Sequence, residues 1–398
     1  MKENVLFPIG QFIAKLIMFS FYISLPKFIG LEEYGRFSYA LAFCLICAQP
    51  IIDLGLDMII TKWVSRGAEN IVKRAFVVRG YSSIVAIILV FILSPFLKID
   101  LFLALILVFY LIFISFCNII FCFFRGKMNF IYEAFLSPGS KLLALIILLV
   151  LSILFHQKSA LAGGISLLCS TSLILIVSLK IFKIHYHPQP LTTPSYKELL
   201  KEAFTLFLTS ILWMIYFRID TLMLGLMVNI KEVGWYNTAY RLIEGTFVLP
   251  AIIMSIIYPK LAKQKNFLSI FFHTFFIMIC LGILCMTIVY ICASPVISIL
   301  YGTKFKKSAE LLKLLSFVVI PVFIGHLTTQ SLVALDKSRL YLLFSFIATI
   351  ANISLNWLFI PLWHSFGAAY ATIITESLVT FLTGVWILTN YKNLSIKI

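Results

Sequence analysis

Glu33-Tyr34-Gly35-Arg36-Phe37-Ser38-Tyr39-Ala40 returns about two hundred positions later as Glu232-Val233-Gly234-Trp235-Tyr236-Asn237-Thr238-Ala239. The glutamate, the glycine and the final alanine hold their places, and each copy opens a long apolar run. Pro50 answers to Pro250, and Ser94-Pro95 to Ser294-Pro295. Two like halves in one chain mark an internal repeat. In a membrane protein such halves flank a central substrate site and rock about it. The repeat points to a transporter before any chemistry is considered.

Composition sets the solvent for those halves. Hydrophobic residues make up 62% of the 398 and charged residues 12%, and the mean hydropathy is +1.05. A helix needs ~20 apolar residues to cross the hydrocarbon core. Twelve such runs are read, at 5–27, 35–60, 79–98, 101–124, 136–155, 159–181, 203–228, 234–258, 267–292, 311–335, 341–362 and 367–390. The alternating pattern of a β-barrel is absent, so closed helices must satisfy the backbone. The expected fold is an all-α integral membrane protein, with about twelve transmembrane helices in two six-helix bundles, residues 1–181 and 202–398. Residues 182–201 carry Pro188, Pro190 and Pro194 and read as a cytoplasmic linker.

The net charge of +16 would suggest nucleic acid in a soluble protein. Here its placement says otherwise. On these spans 19 of the 32 Lys and Arg fall on the side of both termini, including Lys62, Arg66, Lys73, Arg74 and Arg79. Seven lie opposite: Lys27, Lys98, Lys158, Lys231, Lys304, Lys306 and Lys307. The positive-inside rule then makes both termini cytoplasmic. The charge orients the chain in a bilayer, and no nucleic-acid partner is expected. The first run holds Pro8 and Lys15 and lacks a small-residue cleavage site, so it reads as an uncleaved span.

Several chemistries find no support. Cys44 and Cys47 make a C-x-x-C spacing inside a span, with no second pair to complete a metal site. His185 and His187 lack a third ligand. No metal and no cofactor are expected. The phosphate-binding pattern G-x-x-x-x-G-K-[ST] is missing, so the chain is not expected to burn ATP itself, and an ion gradient or the membrane potential is the expected drive. No nucleophile or paired carboxylates sit on an extramembrane segment large enough for a soluble sugar donor, which argues against an enzyme.

Polar groups within the spans carry the remaining information. A charge at mid-membrane costs ~3 kcal/mol or more, so such residues face a bundle interior or a watery cavity. Lys15 lies in the first span one turn after Gln11, and Asp53 and Asp57 lie one turn apart in the second, with Lys62 and Arg66 as expected partners. Arg218 and Asp220 share the seventh span but, two residues apart, point about 200° away from one another. Arg241 and Glu244 in the eighth are spaced to neutralise each other. Lys313 opens the tenth span and Glu376 lies in the twelfth. Arg218 and Arg241 each enter about 15 Å from the outer end of their spans. Two guanidinium groups at one level make an anion-binding patch, since the planar fork matches phosphate. Pro50, Pro250 and Pro321 fall inside spans, where each removes a ladder bond and bends the helix; Pro50 and Pro250 are the hinge candidates.

Four stretches resemble the oligosaccharide (Wzx-type) flippases of the multidrug/oligosaccharidyl-lipid/polysaccharide export (MOP) superfamily. Leu25-Pro26 leads to Gly30-Leu31-Glu32-Glu33-Tyr34-Gly35-Arg36-Phe37, Ala40 and Asp53-Leu54-Gly55-Leu56. Arg218-Ile219-Asp220-Thr221-Leu222-Met223-Leu224-Gly225 leads to Glu232-Val233-Gly234-Trp235-Tyr236 and Ala239-Tyr240-Arg241-Leu242. Leu300-Tyr301-Gly302 runs to Phe305, and Pro361 to Gly367-Ala368-Ala369-Tyr370-Ala371-Thr372 and Glu376.

The resemblance implies a MATE-like pair of bundles related by a parallel pseudo-two-fold in the bacterial inner membrane. It implies a flippase that moves an undecaprenyl-pyrophosphate-linked repeat unit to the periplasmic leaflet by alternating access, for O-antigen or another surface polysaccharide. A polysaccharide polymerase and a chain-length regulator are then expected partners. On that reading Arg218 and Arg241, with Lys15 and Lys313 as further candidates, receive the pyrophosphate. Asp220, Glu244, Asp53 and Glu376 serve ion coupling or ion pairing. The competing expectations are a MATE-like exporter of small amphipathic molecules and a membrane-embedded polysaccharide polymerase or ligase. An exporter calls for an aromatic pocket with an indispensable carboxylate, and the enzymes call for a sizeable periplasmic loop.

Overall fold

The computed structural model describes residues 2–186, 194–263 and 266–395. His187, Pro188 and Pro190 of the expected linker lie outside the described residues. Apolar runs of membrane length become helices because nothing in hydrocarbon competes for the backbone groups. The first group comprises α1 (Lys2–Ile29), α2 (Leu31–Cys47), α3 (Gln49–Asp53), α4 (Leu56–Ser65), α5 (Ile71–Phe96), α6 (Leu101–Gly126), α7 (Ile131–Ile153) and α8 (Ala160–His185). The second comprises α9 (Tyr196–Met227), α10 (Ile230–Thr246), α11 (Val248–Ala262), α12 (Phe267–Tyr301), α13 (Lys306–Ser316), α14 (Val319–Ala334), α15 (Ser338–Trp363) and α16 (Ser365–Ser395). No strand occurs among the described residues. Ten stretches are long and apolar enough to cross a membrane, counting α10 and α11 together, and two bent pairs raise the number to twelve.

The expected second span, 35–60, is not one helix. It runs from Leu31 to Ser65, and a 41° bend separates α2 from the α3–α4 pair. A further break follows Asp53, where Leu54 and Gly55 both adopt left-handed conformations (φ 45° and 69°). The α13–α14 pair bends by 44°. Pro50 is the second residue of α3, Pro250 the third of α11 and Pro321 the third of α14. Each therefore stands in a first turn, where its missing N–H costs nothing, and the interruption lies just before it.

Two compact units are formed, Met1–Leu222 and Met223–Ile398. Their internal packing repeats one pattern. In the first, α8 packs on α6 and α7, α6 on α5 and α4, and α2 on α6 and α8. In the second, α16 packs on α14 and α15, α14 on α12 and α11, and α10 on α13 and α16. One hydrogen bond recurs with them. Glu33, in the first turn of α2, accepts the backbone N–H of Ala160 at the start of α8 (2.8 Å). Glu232, in the first turn of α10, accepts the backbone N–H of Ser365 at the start of α16 (3.3 Å).

Much of the apolar surface points outward. Within the most apolar part of α12 only 11% of residues are buried, and Phe276 and Ile299 are largely exposed, as acyl-chain solvent allows. Close approach needs small residues instead. A Cβ on Gly367 would meet the Phe359 carbonyl at 2.3 Å where α15 and α16 cross. One on Gly55 would meet Leu206 Cβ of α9 at 2.5 Å. Gly55→Ala is therefore expected to lose about 2 kcal/mol or more, from left-handed strain and overpacking together. Gly30→Ala, at φ 87° with nothing within 4 Å, should lose only the strain. Thermal unfolding of the two variants in detergent measures the difference, and equal midpoints would contradict the packing at Gly55.

Candidate functional site

The break after Asp53 dictates the chemistry around it. Ending a helix in hydrocarbon frees carbonyl groups that need new donors. Ser82 Oγ of α5 donates to the Ile52 carbonyl at 3.1 Å. Arg79 Nη2, also from α5, donates to the Asp53 carbonyl at 3.1 Å and to Asp57 Oδ1 at 2.8 Å. Its Nη1 donates to the Ser115 carbonyl of α6 at 2.6 Å. The Asp53 carboxylate accepts from the Gln49 amide and the Ser115 hydroxyl, and Oδ1 lies 3.9 Å from Arg79 Nη2. The Arg79 side chain is 0% exposed.

Two expectations are corrected here. Arg79 is not a basic residue of a cytoplasmic connection; α5 begins eight residues before it, at Ile71, which carries it into the bundle. Lys62 and Arg66 are not the partners of Asp53 and Asp57. Lys62 pairs with Glu202 of α9, which also accepts from Trp63 Nε1 at 3.3 Å. The Arg66 guanidinium stands 5.7 Å from the centre of the Trp63 ring. A second polar junction ties α1, α6 and α7: Glu133 accepts from Gln11 Nε2 at 2.9 Å and pairs with Arg125 Nε at 2.9 Å. Lys15, one turn beyond Gln11, is exposed.

The remaining site candidates are spread over four helices. Arg218 is half-buried on α9, nine residues and about 14 Å from that helix's end at Met227. Asp220 is buried, and its carboxylate accepts the Thr221 N–H at 2.6 Å. Arg241 Nη1 pairs with Glu244 Oε2 at 2.7 Å, as the i, i+3 spacing expects. Lys313 Nζ lies 5.8 Å over the Tyr290 ring of α12, and Glu376 is half-buried on α16. The structure joins Asp53 to Arg79 and Arg241 to Glu244; Arg218 and Asp220 belong to the first unit, Lys313 and Glu376 to the second.

A further junction was not singled out from the sequence. Lys307 Nζ donates to both Glu232 oxygens, at 2.6 and 2.8 Å, and lies 5.0 Å over the Trp235 ring. The Ser365 hydroxyl donates to the same carboxylate, and the Asn229 side chain caps α10 by accepting the Glu232 N–H at 3.0 Å. Glu232 is buried (6% exposed). Its recurrence as a landmark with Glu33 was the available signal. Metal chemistry gains no support among the described residues, where no three His, Cys, Asp or Glu side chains cluster. His185 instead packs with Tyr132, its Nε2 3.0 Å from the phenol oxygen. All eight cysteines are free thiols.

The family model described as "polysaccharide biosynthesis protein" matches residues 3–265, from α1 through α11. The chain belongs to that family. No curated protein matches this member of the polysaccharide biosynthesis family. Solved structures share its fold. A lipid II flippase MurJ in an inward-closed conformation aligns at a TM-score of 0.78 and 15% identity, over 96% of this chain and 87% of that one. An inward-facing multidrug resistance MATE family transporter of the MOP superfamily aligns at 0.75 and 12% identity, over 95% of each. A MOP superfamily transporter from Pyrococcus furiosus, described by a reversed polarity of its binding pocket, aligns at 0.64 and 12% identity, over 99% of this chain and 96% of that one. The polysaccharide biosynthesis protein thus has the MOP fold.

In this family member the Arg79 junction makes a direct demand. Asp53→Asn with Asp57→Asn leaves a wholly buried guanidinium without a carboxylate, an expected loss of about 3–5 kcal/mol. Lys62→Ala breaks a partly exposed pair and should lose at most about 1 kcal/mol. Yield and melting temperature of the purified variants read both effects, and a double variant as stable as wild type would contradict the assignment.

Proposed function

We propose that this chain is a flippase. It carries an undecaprenyl-pyrophosphate-linked oligosaccharide repeat unit from the cytoplasmic to the periplasmic leaflet of the inner membrane, for O-antigen or a similar surface polysaccharide. The observation that carries the reading is the half-buried Arg218, deep along α9, in a repeated MOP fold that belongs to a polysaccharide biosynthesis family. A cation at that depth faces a bundle interior or a watery cavity, where an anionic substrate can reach it. Both termini are placed in the cytoplasm, following the Lys and Arg distribution.

The proposed cycle uses these residues in named roles. Arg218 and Arg241 receive the pyrophosphate, with Lys15 and Lys313 as auxiliary cations, while the polyprenyl tail stays in lipid. Glu244 holds Arg241 oriented until the anion competes for it. The two halves, residues 1–181 and 202–398 joined through 182–201, rock by flexing at the interruptions before Pro50 and Pro250. Outward movement of two negative charges is favoured by about 2.3 kcal/mol per charge per 100 mV when the cytoplasm is negative. Counter-movement of a cation on Asp220, Glu244 or Glu376 adds to that drive. Asp53 belongs instead to the structural junction with Arg79. A polymerase and a chain-length regulator would take the product on the far side.

The MATE-like exporter shares the fold but leaves the polysaccharide family membership without a reason. A polymerase or ligase would need a periplasmic domain, and the connections on that face, such as 97–100, 154–159 and the single residue His364, hold no more than six residues.

Arg218→Ala and Arg241→Ala are each expected to reduce surface polysaccharide at least about tenfold, equivalent to ~1.4 kcal/mol of lost anion affinity, without loss of protein from the membrane. Lysine at either position should restore part of it, since charge remains and the bidentate fork does not. Gel analysis of surface polysaccharide alongside membrane immunoblots checks this. Normal polysaccharide in both alanine variants removes the two arginines from the mechanism.

A further inference from the structure

A groove of about 720 Å³ in the second unit has no part in the transport cycle above. Phe359 and Trp363, one turn apart on α15, line it together with Tyr370 and Ile374, one turn apart on α16. Lys307 and His364 stand at its end by the α15–α16 turn. Trp363 packs against Phe359 with tilted rings (centroids 5.2 Å, 57°) and meets Tyr370 edge-on (5.8 Å, 71°). Yet Trp363 and Tyr370 stay 48% and 41% exposed, so the protein itself does not cover them.

The groove is polar at one end and apolar along its length. Ile374 lies nine residues into α16 from Ser365, about 14 Å along the axis, which is close to half of the ~30 Å hydrocarbon core. An occupant of that length belongs to one leaflet. Lys307 gives two hydrogen bonds to Glu232, and an ammonium has three donors, which leaves one for a ligand at the rim. Lys304 and Lys306 are exposed beside it and add positive charge. The first half has nothing equivalent: Leu107, two hundred positions before Lys307, is buried, and Glu33 pairs with the exposed Arg36. The cationic rim is therefore a feature of this half and not a by-product of the repeat.

We propose that the groove holds one anionic phospholipid of the leaflet on the α15–α16 side, the outer leaflet in the orientation given above. Its phosphate sits on Lys307 and one acyl chain lies along Phe359, Tyr370 and Ile374. Basic pockets between transmembrane helices recognise anionic head groups in this way. A bound phosphate would also brace the Lys307–Glu232–Ser365 junction that ties α10, α13 and α16 together.

The test is native mass spectrometry of the purified full chain with equimolar dioleoylphosphatidylglycerol and dioleoylphosphatidylcholine. Phosphatidylglycerol adducts are expected to exceed phosphatidylcholine adducts by about fivefold. Ile374→Trp fills the apolar length and leaves Lys307 and Glu232 in place, so it should bring the two lipids to parity. Equal adducts in the wild type, an undiminished preference in Ile374→Trp, or displacement of phosphatidylglycerol by equimolar polyprenyl phosphate would each overturn the proposal.

Discussion

A guanidinium enclosed by two carboxylates and two main-chain carbonyls permits the second span to break inside the membrane. Without water, each freed carbonyl at the Asp53–Gly55 interruption would cost several kcal/mol. Arg79 supplies donors to the Asp53 and Ser115 carbonyls, and Asp57 offsets its charge. The break could not be buried without the arginine, and the arginine could not be buried without the aspartates. Four helices, α3 to α6, therefore meet at one charged point. The same accounting fits Pro50, Pro250 and Pro321, which stand just after interruptions, in first turns where a missing N–H is free of cost.

The repeat is physical as well as textual. Each half begins its second helix with a glutamate that grips the first turn of its last helix, through the Ala160 N–H in one case and the Ser365 N–H in the other. A carboxylate accepting backbone N–H groups at a helix start is favoured by the helix dipole. The second copy adds Lys307 and the Ser365 hydroxyl, so it is the more heavily fastened of the two.

Much of this was legible in the chain, and the exceptions share a cause. Span positions and their number follow from apolar run length, which the bilayer thickness fixes. The Arg241–Glu244 pair follows from i, i+3 spacing alone. Arg79 escaped because α5 starts at Ile71, earlier than its apolar run suggests; a helix end rich in Lys73, Arg74 and Arg79 reads as a connection. Local spacing offers Asp53 and Asp57 the nearby Lys62 and Arg66 as partners, whereas the true one lies 22 residues beyond Asp57 on another helix. Glu232 was visible as a landmark but its role was not, since Lys307 and Ser365 are 75 and 133 residues away. Long-range pairing of charges is set by tertiary packing, which local spacing does not encode.

Cationic groups at depth, repeated halves and membership of a polysaccharide biosynthesis family combine into one account, the outward passage of an anionic lipid-linked sugar. The most direct measurement is transbilayer movement in proteoliposomes of the purified chain, with a fluorescent polyprenyl-pyrophosphate oligosaccharide in the inner leaflet and an imposed membrane potential. The account predicts that the labelled sugar reaches an external quencher faster than in protein-free vesicles, that reversing the potential slows it, and that a labelled phosphatidylcholine does not follow. Movement no faster than in protein-free vesicles, or equal movement of both lipids, would contradict it.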